Sequence, residues 1–330
     1  MTDELRVLLL RYPAEAVIDQ LRGLLDDRVR ITVSRALTGP HDHHILVTGR
    51  PTREELCSSG HLHTVIIPWS GLSEATREAL REHPQLAVHN LHHNAAAAAE
   101  QAAALLLAAA KFIIPADRRL RQGDWSPRYR PDPTVLLEGK TAVVLGYGAV
   151  GRRVARMCRG LGMRVVAVRR TARPAERSGE DEVHTADALP NLLSRGNALI
   201  MCLPLTEETK GMLGARELAL LPEDAVLVNI GRGATIDQGA LYDALRSGRL
   251  KAAGLDVWYH YPADEAARSD TAPADRPFHE LENVVMTPHR GGAYGTAHTE
   301  IMRMRALAAL LNAAAAGQPM PNRVDLVRGY

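Results

Sequence analysis

Residues 141–162 read TAVVLGYGAVGRRVARMCRGLG. The apolar run over 141–145 predicts a strand, and a helical pattern with one apolar face follows the glycines. In such a turn the first glycine permits a tight bend, the second lets the backbone approach a pyrophosphate, and the third lets helix and strand pack closely. A glycine-rich turn without a ligand is the plainer alternative. The context favours a dinucleotide site made of Gly146, Tyr147, Gly148, Ala149, Val150 and Gly151.

The next predicted strand, over 164–168, ends where a dinucleotide domain recognises the adenosine ribose. NAD-binding domains normally place Asp or Glu there, whereas this sequence has Arg169, Arg170 and Thr171. Guanidinium groups would bind a 2′-phosphate that a carboxylate would repel. We therefore expect NADP(H) in preference to NAD(H). The alternative is an Arg-rich loop tip in an Arg-rich protein.

Short strand-like runs alternate with helical patterns along most of the chain, which predicts parallel sheets covered on both faces. The fold class is α/β, with two Rossmann-like doubly wound domains. A polar stretch with three prolines, over 118–133, follows an Ala-rich helix over 95–114 and predicts a boundary. The last predicted helix, over 296–316, must bury its apolar face. If it packs on the first domain, that domain is discontinuous in the sequence. The predicted domains are a substrate domain of residues 1–112 and 293–330 and an NAD(P)-binding domain of residues 113–292.

Composition narrows the class of protein. Of the 330 residues, 46% are hydrophobic and the net charge is +2, which gives no electrostatic case for nucleic acid or an anionic membrane. The three cysteines are far apart in the sequence, which indicates reduced thiols and a cytoplasmic location. The Ala-rich helix contains Glu100, Gln101 and Lys111, so a buried helix is favoured over a membrane span.

Two segments at predicted strand ends could carry chemistry. Arg232 lies between two glycines in NIGRG, and His289 lies on the turn TPHRGG. Hydride transfer to a carbonyl needs a positive group to polarise the oxygen and a proton donor. Either residue alone could be a capping arginine or a structural histidine, but the pair at strand ends of one dinucleotide domain favours catalysis.

At these residues the chain resembles the D-isomer-specific 2-hydroxyacid dehydrogenase family. The resemblance rests on the Ala-rich helix with ADRRLRQGDW, the glycine turn, CLPLTEETKGM, NIGRGATID, AGLDVW and TPHRGG, in that order. It implies an active-site cleft between the two domains, usually a homodimer, and reduction of a 2-keto acid to a D-2-hydroxy acid or the reverse. It also implies that Arg232 binds the substrate carboxylate and carbonyl oxygen and that His289 is the acid/base. Asp256 would contact the nicotinamide amide. The rest of the implied cofactor site is Leu203, Pro204, Thr209, Ile230, Gly231 and His289.

The sequence departs from the family at the third catalytic position. The family usually has Glu just before a proline, where it raises the pKa of the histidine, but Tyr261 precedes Pro262 here. A neutral phenol can orient an imidazole but cannot favour its protonation by charge, so the pKa of His289 should be lower. Three interpretations stay open. Tyr261 holds His289 for ketone reduction; Asp264 or Glu265 replaces the Glu; or the reaction needs little proton transfer, as in the related formate dehydrogenases.

The segments predicted to bind the substrate also differ in part from those of the family. Trp69, Ser70 and Gly71 resemble the family's loop whose backbone amides receive the substrate carboxylate. His92 and His93 replace a small, often Gly-containing sequence. With Arg290 they would make the pocket cationic enough for a second anionic group. Solvated loop histidines are the plainer interpretation, and no metal site is expected, because no carboxylate or cysteine lies at ligand spacing from His89, His92 and His93.

A different class of function also stays open. A catalytically impaired, dinucleotide-sensing binding protein would keep the glycine turn. It would need neither Arg232 nor His289 for hydride chemistry, and both are present.

Overall fold

The computed structural model describes residues 4–11, 15–37, 39, 41–131, 133–171, 176–178, 181–293 and 295–328. The chain divides into two compact units, residues 1–94 with 293–330 and residues 95–292. Both are α/β units built on a mainly parallel sheet, which confirms the predicted fold class.

The first unit has a five-stranded parallel sheet in the order β2-β1-β3-β4-β5. This is a doubly wound order, reversing direction between β1 and β3. The C-terminal helix Ala297–Ala315 packs on α1 and buries Met304, Leu307 and Leu311, so this unit is discontinuous, as expected. Its other elements are β1 (Leu5–Leu10), α1 (Glu15–Arg22), β2 (Val29–Ser34), β3 (Ile45–Val47), α2 (Arg53–Leu56), β4 (Thr64–Ile67), α3 (Glu74–Arg81) and β5 (Ala87–Asn90).

The second unit has an eight-stranded sheet in the order β13-β12-β11-β10-β6-β7-β9-β8. All its strand pairs are parallel except β8 with β9. The strand order reverses between β6 and β10, the switch point where dinucleotide domains bind their ligand. Its elements are α4 (Ala95–Ala110), α5 (Ile113–Leu120), β6 (Thr141–Leu145), α6 (Gly151–Gly160), β7 (Arg164–Val168), β8 (Glu176–Ser178), β9 (Asp181–His184), α7 (Leu189–Leu193), β10 (Ala198–Met201), α8 (Ala215–Leu218), β11 (Val226–Asn229), α9 (Gln238–Arg246), β12 (Ala252–Leu255) and β13 (Val284–Met286).

The boundary between the units differs from the predicted one. It falls after Asn94, not after Phe112, because α4 packs on β11, β12 and α6 of the second unit. The contact is close: a Cβ on Gly254 would lie 2.7 Å from the Cβ of Leu105. The Ala-rich sequence of α4 therefore lets the helix lie directly on the dinucleotide sheet.

The predicted Ala-rich helix is also interrupted. Phe112 adopts a left-handed conformation (φ 49°) between α4 and α5, which meet at 65°. Among the described residues no single helix is long and apolar enough to cross a membrane. The bent α4–α5 pair passes that test only by length and composition.

Candidate active site

The glycine turn joins β6 to α6 at the carboxyl edge of the second sheet. Gly146 has φ 96°, and a Cβ there would lie 2.8 Å from the carbonyl oxygen of Cys202. A Cβ on Gly151 would overlap the carbonyl oxygen of Gly146. Packing therefore requires glycine at both positions. At Gly148, by contrast, a Cβ would meet no described protein atom within 4 Å, so this position leaves space that a bound pyrophosphate would need.

The side chain of Tyr147 is held by contacts with β9 and α6. Its hydroxyl donates to the buried carboxylate of Asp181 on β9, at 2.5 Å, and the guanidinium of Arg152 lies 4.8 Å from its ring centroid. Ala149 and Val150 lead into α6, and Val150 accepts the backbone N–H of Val154 at 3.0 Å.

The residues expected to recognise the adenosine ribose follow β7 directly. The backbone N–H of Arg169 donates to the carbonyl of His184 on β9, at 2.9 Å. Arg170 and Thr171 are exposed beyond it. The described part of this loop thus presents two guanidinium side chains and no carboxylate at the end of β7.

The loop after β10 lies against the loop after β11, since a Cβ on Gly231 would overlap the carbonyl oxygen of Leu203. The hydroxyl of Thr209 donates to the carbonyl of Pro204 at 2.7 Å and accepts the N–H of Thr206 at 2.8 Å. Thr209 therefore shapes its own loop. The structure brings this loop beside the glycine turn and beside Ile230, in one row along the sheet edge.

Arg232 follows β11 and is half-buried. The side chain of Asn229 holds the turn, accepting the N–H of Gly231 and donating to the carbonyl of Arg232, both at 3.0 Å. Burial lowers the pKa of Arg232 from its ordinary value, yet a guanidinium stays charged. The turn therefore fixes a cation at the carboxyl end of β11.

The turn that carries His289 is organised by Asp256, whose side chain is 1% exposed. Its carboxylate accepts the backbone N–H groups of Arg290 and Gly291, each at 2.8 Å, and the hydroxyl of Thr287 at 2.6 Å. His289 itself has φ 54°, a left-handed conformation that a non-glycine residue adopts only when its surroundings hold it there. The expected contact of Asp256 with a nicotinamide stays a prediction. What the structure adds is a bond network that fixes the histidine turn.

Tyr261 and His289 meet. The phenolic oxygen lies 3.0 Å from Nδ1 of His289, and the backbone N–H of Trp258 donates to the same oxygen at 3.1 Å. Burial, and then the Arg232 cation, lower the pKa of His289, while Asp256 raises it less. Burial raises the pKa of Tyr261, which keeps the phenol neutral. The pair is therefore a neutral phenol beside an imidazole whose pKa is below its ordinary value.

Neither Asp264 nor Glu265 takes the position of the Glu that the resemblance implies. Asp264 accepts the backbone N–H of Ala267 at 3.0 Å, and Glu265 pairs with Arg268 at 2.6 Å on an exposed turn. The hydrogen-bond partner of His289 among the described side chains is Tyr261. The interpretation that Asp264 or Glu265 replaces the Glu is wrong for this structure.

In the first unit, the loop Trp69-Ser70-Gly71 follows β4. The carbonyl of Ser70 accepts the side-chain amide of Asn90 at 2.8 Å, and that of Trp69 accepts the N–H of Leu91 at 3.4 Å. Within the described part of the chain, the N–H groups of Ser70 and Gly71 have no protein acceptor. A loop with its carbonyls bound and its amides available suits an anion.

The two loop histidines do not supply the expected charge. Burial lowers the pKa of His92, and burial with the nearby Arg303 lowers that of His93 to about 4. His93 is therefore neutral at neutral pH, and the lowered pKa of His92 likewise disfavours the cationic form that the sequence predicted. His89 is bound to the carbonyl of Pro321 at 2.8 Å. No group of three His, Cys, Asp or Glu side chains in the described ranges could hold a metal ion.

Sequence reasoning missed Trp258, and it missed the structural role of Asp256, which was expected only to contact a cofactor. The one available signal was their position, because both lie within three residues of the end of β12, between Arg232 and His289 in the sequence.

Comparison with known proteins identifies the family that the chain resembles. The family model described as "D-isomer specific 2-hydroxyacid dehydrogenase, NAD binding domain" matches residues 103–291, more than half of the chain. A glyoxylate reductase of Aeropyrum pernix is 37% identical over 222 residues, which are 66% of this chain and 62% of that protein. A D-3-phosphoglycerate dehydrogenase of Methanocaldococcus jannaschii is 32% identical over 185 residues, 56% of this chain and 33% of that protein. The matches thus span about three fifths and one third of these relatives.

Solved structures agree over nearly the whole chain. A D-isomer-specific 2-hydroxyacid dehydrogenase family protein from Aeromonas salmonicida is 25% identical, with a TM-score of 0.76 over 98% of this chain and 100% of that one. A D-isomer-specific 2-hydroxyacid dehydrogenase from Xanthobacter autotrophicus, solved with NADPH and MES, shares the fold at 24% identity, with a TM-score of 0.78 over 99% and 100% of the two chains. The chain belongs to the D-isomer-specific 2-hydroxyacid dehydrogenase family.

Proposed function

We propose that this protein reduces a 2-keto acid to a D-2-hydroxy acid with a nicotinamide dinucleotide, or catalyses the reverse reaction. The observation that carries the proposal is the row of groups along the carboxyl edge of the second sheet. The glycine turn follows β6, Arg232 follows β11, Tyr261 comes after β12 and His289 follows β13. When bound along this edge, the reduced nicotinamide would supply the hydride.

Each residue has a role that its surroundings support. Arg232 binds the carboxylate and polarises the keto oxygen, since a half-buried guanidinium both hydrogen-bonds and stabilises developing negative charge. His289 donates the proton to the oxygen in reduction and removes it in oxidation. Tyr261 orients His289 through Nδ1, which leaves Nε2 for the substrate. In the first unit, the amides of Ser70 and Gly71 receive a carboxylate.

NADP(H) is the proposed cofactor, with NAD(H) as the weaker one. The support is the loop after β7, where Arg169, Arg170 and Thr171 replace the usual carboxylate. A 2′-phosphate would gain charge-assisted hydrogen bonds there.

The proposed enzyme is a cytoplasmic homodimer. Its three cysteines are free, as in a reducing compartment. Several large apolar side chains on and after α5 are exposed, an arrangement that favours burial against a second copy of the chain. They are Ile113, Ile114, Leu120, Trp125, Tyr129 and Leu136.

The decisive experiment is a screen of NADPH oxidation over a panel of keto acids, repeated with NADH. Glyoxylate and hydroxypyruvate come first because several relatives of similar sequence are glyoxylate reductases, and a dianionic keto acid tests for a second anionic group. Turnover of a keto acid that is lost in R232A and H289A supports the proposal. Dinucleotide binding without turnover of any keto acid would favour a sensing protein, and turnover of formate alone would favour the formate-dehydrogenase-like reaction.

A further inference from the structure

Trp258 adjoins all three proposed catalytic segments of the second unit. It comes two residues after Asp256 and three before Tyr261, and it is 6% exposed. Its ring meets Phe278 edge-on, with 6.2 Å between ring centroids, and Phe278 meets Tyr242 in the same way at 5.5 Å. The aromatic core of the unit therefore fixes the position of Trp258.

The polar groups of Trp258 hold two different partners. Its backbone N–H donates to the hydroxyl oxygen of Tyr261 at 3.1 Å. Its indole N–H donates to the carbonyl of Thr287 at 2.9 Å, and the same carbonyl accepts the backbone N–H of His289 at 3.0 Å. One residue thus holds the phenol by its main chain and the histidine turn by its side chain.

A third contact reaches the arginine. A Cβ on Gly233 would overlap the carbonyl of Trp258, so Gly233 lies directly on the Trp258 backbone. Gly233 follows Arg232 in the chain. A shift of Trp258 would therefore move Arg232, Tyr261 and His289 relative to one another.

The geometry points to Trp258 as a positioning residue that sets the separation between the Tyr261 hydroxyl and Nδ1 of His289. This inference rests on the proposed reductase function, because it concerns the residue that keeps Tyr261 and His289 at hydrogen-bonding distance. His289 lies in a left-handed conformation, which persists only where surrounding bonds hold it, and the indole N–H supplies one of those bonds.

The arrangement also explains how a phenol serves in place of a carboxylate. A phenol has one hydrogen to donate and two acceptor positions, and the Trp258 N–H occupies one acceptor position. The hydrogen and the other lone pair are left for His289. Tyr261 can therefore donate to a neutral imidazole or accept from a protonated one, and neither ring has to move when His289 gains or loses its proton.

The test is Trp258→Phe, which keeps an aromatic ring on Phe278 and removes the indole N–H. The matched control is Tyr259→Phe, because the Tyr259 hydroxyl donates to the carbonyl of Ile236 at 3.1 Å, a similar bond one residue away. We expect W258F to lower kcat about tenfold, since small misplacements of catalytic groups are costly. The KM for the dinucleotide should not change. Y259F should leave kcat unchanged, even if the two substitutions lower the melting temperature by similar amounts.

Two further measurements decide the mechanism. If Trp258 acts through the phenol–imidazole pair, W258F should cause little additional loss of kcat in a Y261F background. If the losses of kcat in W258F and Y261F multiply in the double variant, or if W258F keeps the wild-type kcat, the inference is overturned.

NMR titration of His289 gives a readout without turnover. Its pKa should move up towards its ordinary value in W258F as the turn relaxes. An identical titration in W258F and wild type would refute the positioning role even in a protein that reduced no keto acid, whereas failure of the proposed function would leave the titration difference intact.

Discussion

The hydroxyl oxygen of Tyr261 lies 3.0 Å from Nδ1 of His289, at the position where the resemblance implies a Glu carboxylate. A carboxylate would stabilise the imidazolium by charge, and a phenol cannot. Burial and the nearby Arg232 add to the effect, so the pKa of His289 lies below its ordinary value. Because the proposed reduction uses the protonated imidazole, its rate should fall as the pH rises through this lowered pKa.

Restoring the carboxylate should shift the pH profile. In Tyr261→Glu, a negative charge beside Nδ1 favours the imidazolium and should raise the pH at which reduction falls off by about one to two units. The measurement is kcat/KM for the keto acid against pH. Tyr261→Phe is the control, since it removes the hydroxyl without adding charge and should lower kcat without an upward shift. An unchanged midpoint in Y261E would show that Tyr261 does not set the protonation of His289.

Asp256 should be important for stability as well as for turnover. In Asp256→Asn, an amide NH₂ replaces one of the oxygens that accept from Arg290, Gly291 and Thr287. We expect a loss of about 2 kcal/mol in the free energy of unfolding, because a buried donor is left without an acceptor. Urea denaturation measures this loss, and kcat should fall with it. Asp243→Asn, on an exposed ion pair with Arg246, is the control and should change neither quantity. Equal stability of D256N and D243N would contradict the role of Asp256 in the turn.

Cofactor preference should depend on the loop after β7. Arg169→Asp should lower kcat/KM for NADPH about ten- to a hundredfold while improving that for NADH, because it exchanges a phosphate-binding cation for a ribose-binding carboxylate. Arg164→Asp makes the same charge change at the exposed amino end of the same strand, so it should leave the preference unchanged. If R169D still preferred NADPH by the wild-type ratio, the argument for NADP would fail.

The loop Trp69-Ser70-Gly71, proposed to receive a carboxylate, should respond to a substitution at Gly49, which follows β3. A Cβ on Gly49 would overlap the indole of Trp69, so Gly49→Ala should displace that ring. We expect the KM for the keto acid to rise about tenfold with a smaller change in kcat, since the loop amides would lose their alignment. The tryptophan emission should shift as well. Gly60→Ala is the control, because a Cβ there meets no described atom within 4 Å. An unaltered KM in G49A would separate Trp69 from substrate binding.

Much of this molecule was predictable because local patterns specify it. The strands over 141–145 and 164–168 have the predicted bounds, and the C-terminal helix packs on the first unit as its apolar face required. Arg232 and His289 could be placed near one another because the carboxyl ends of parallel strands meet on one sheet edge. By contrast, the short strands β8 and β9 carry no alternating apolar pattern and were missed, and the predicted long helix is broken at Phe112 by a left-handed residue.

The order of residues along the chain was enough to predict the dinucleotide turn, the two-unit α/β architecture and the family. The surroundings of the reacting groups depend instead on how the chain folds. Burial lowers the pKa of His92, of His93 and of His289. The folded chain brings Tyr261 to His289, although the two are remote in the sequence. Asp264 and Glu265 lie on an exposed turn instead. Desolvation and non-local contacts arise only when the chain folds, and local pattern does not encode them.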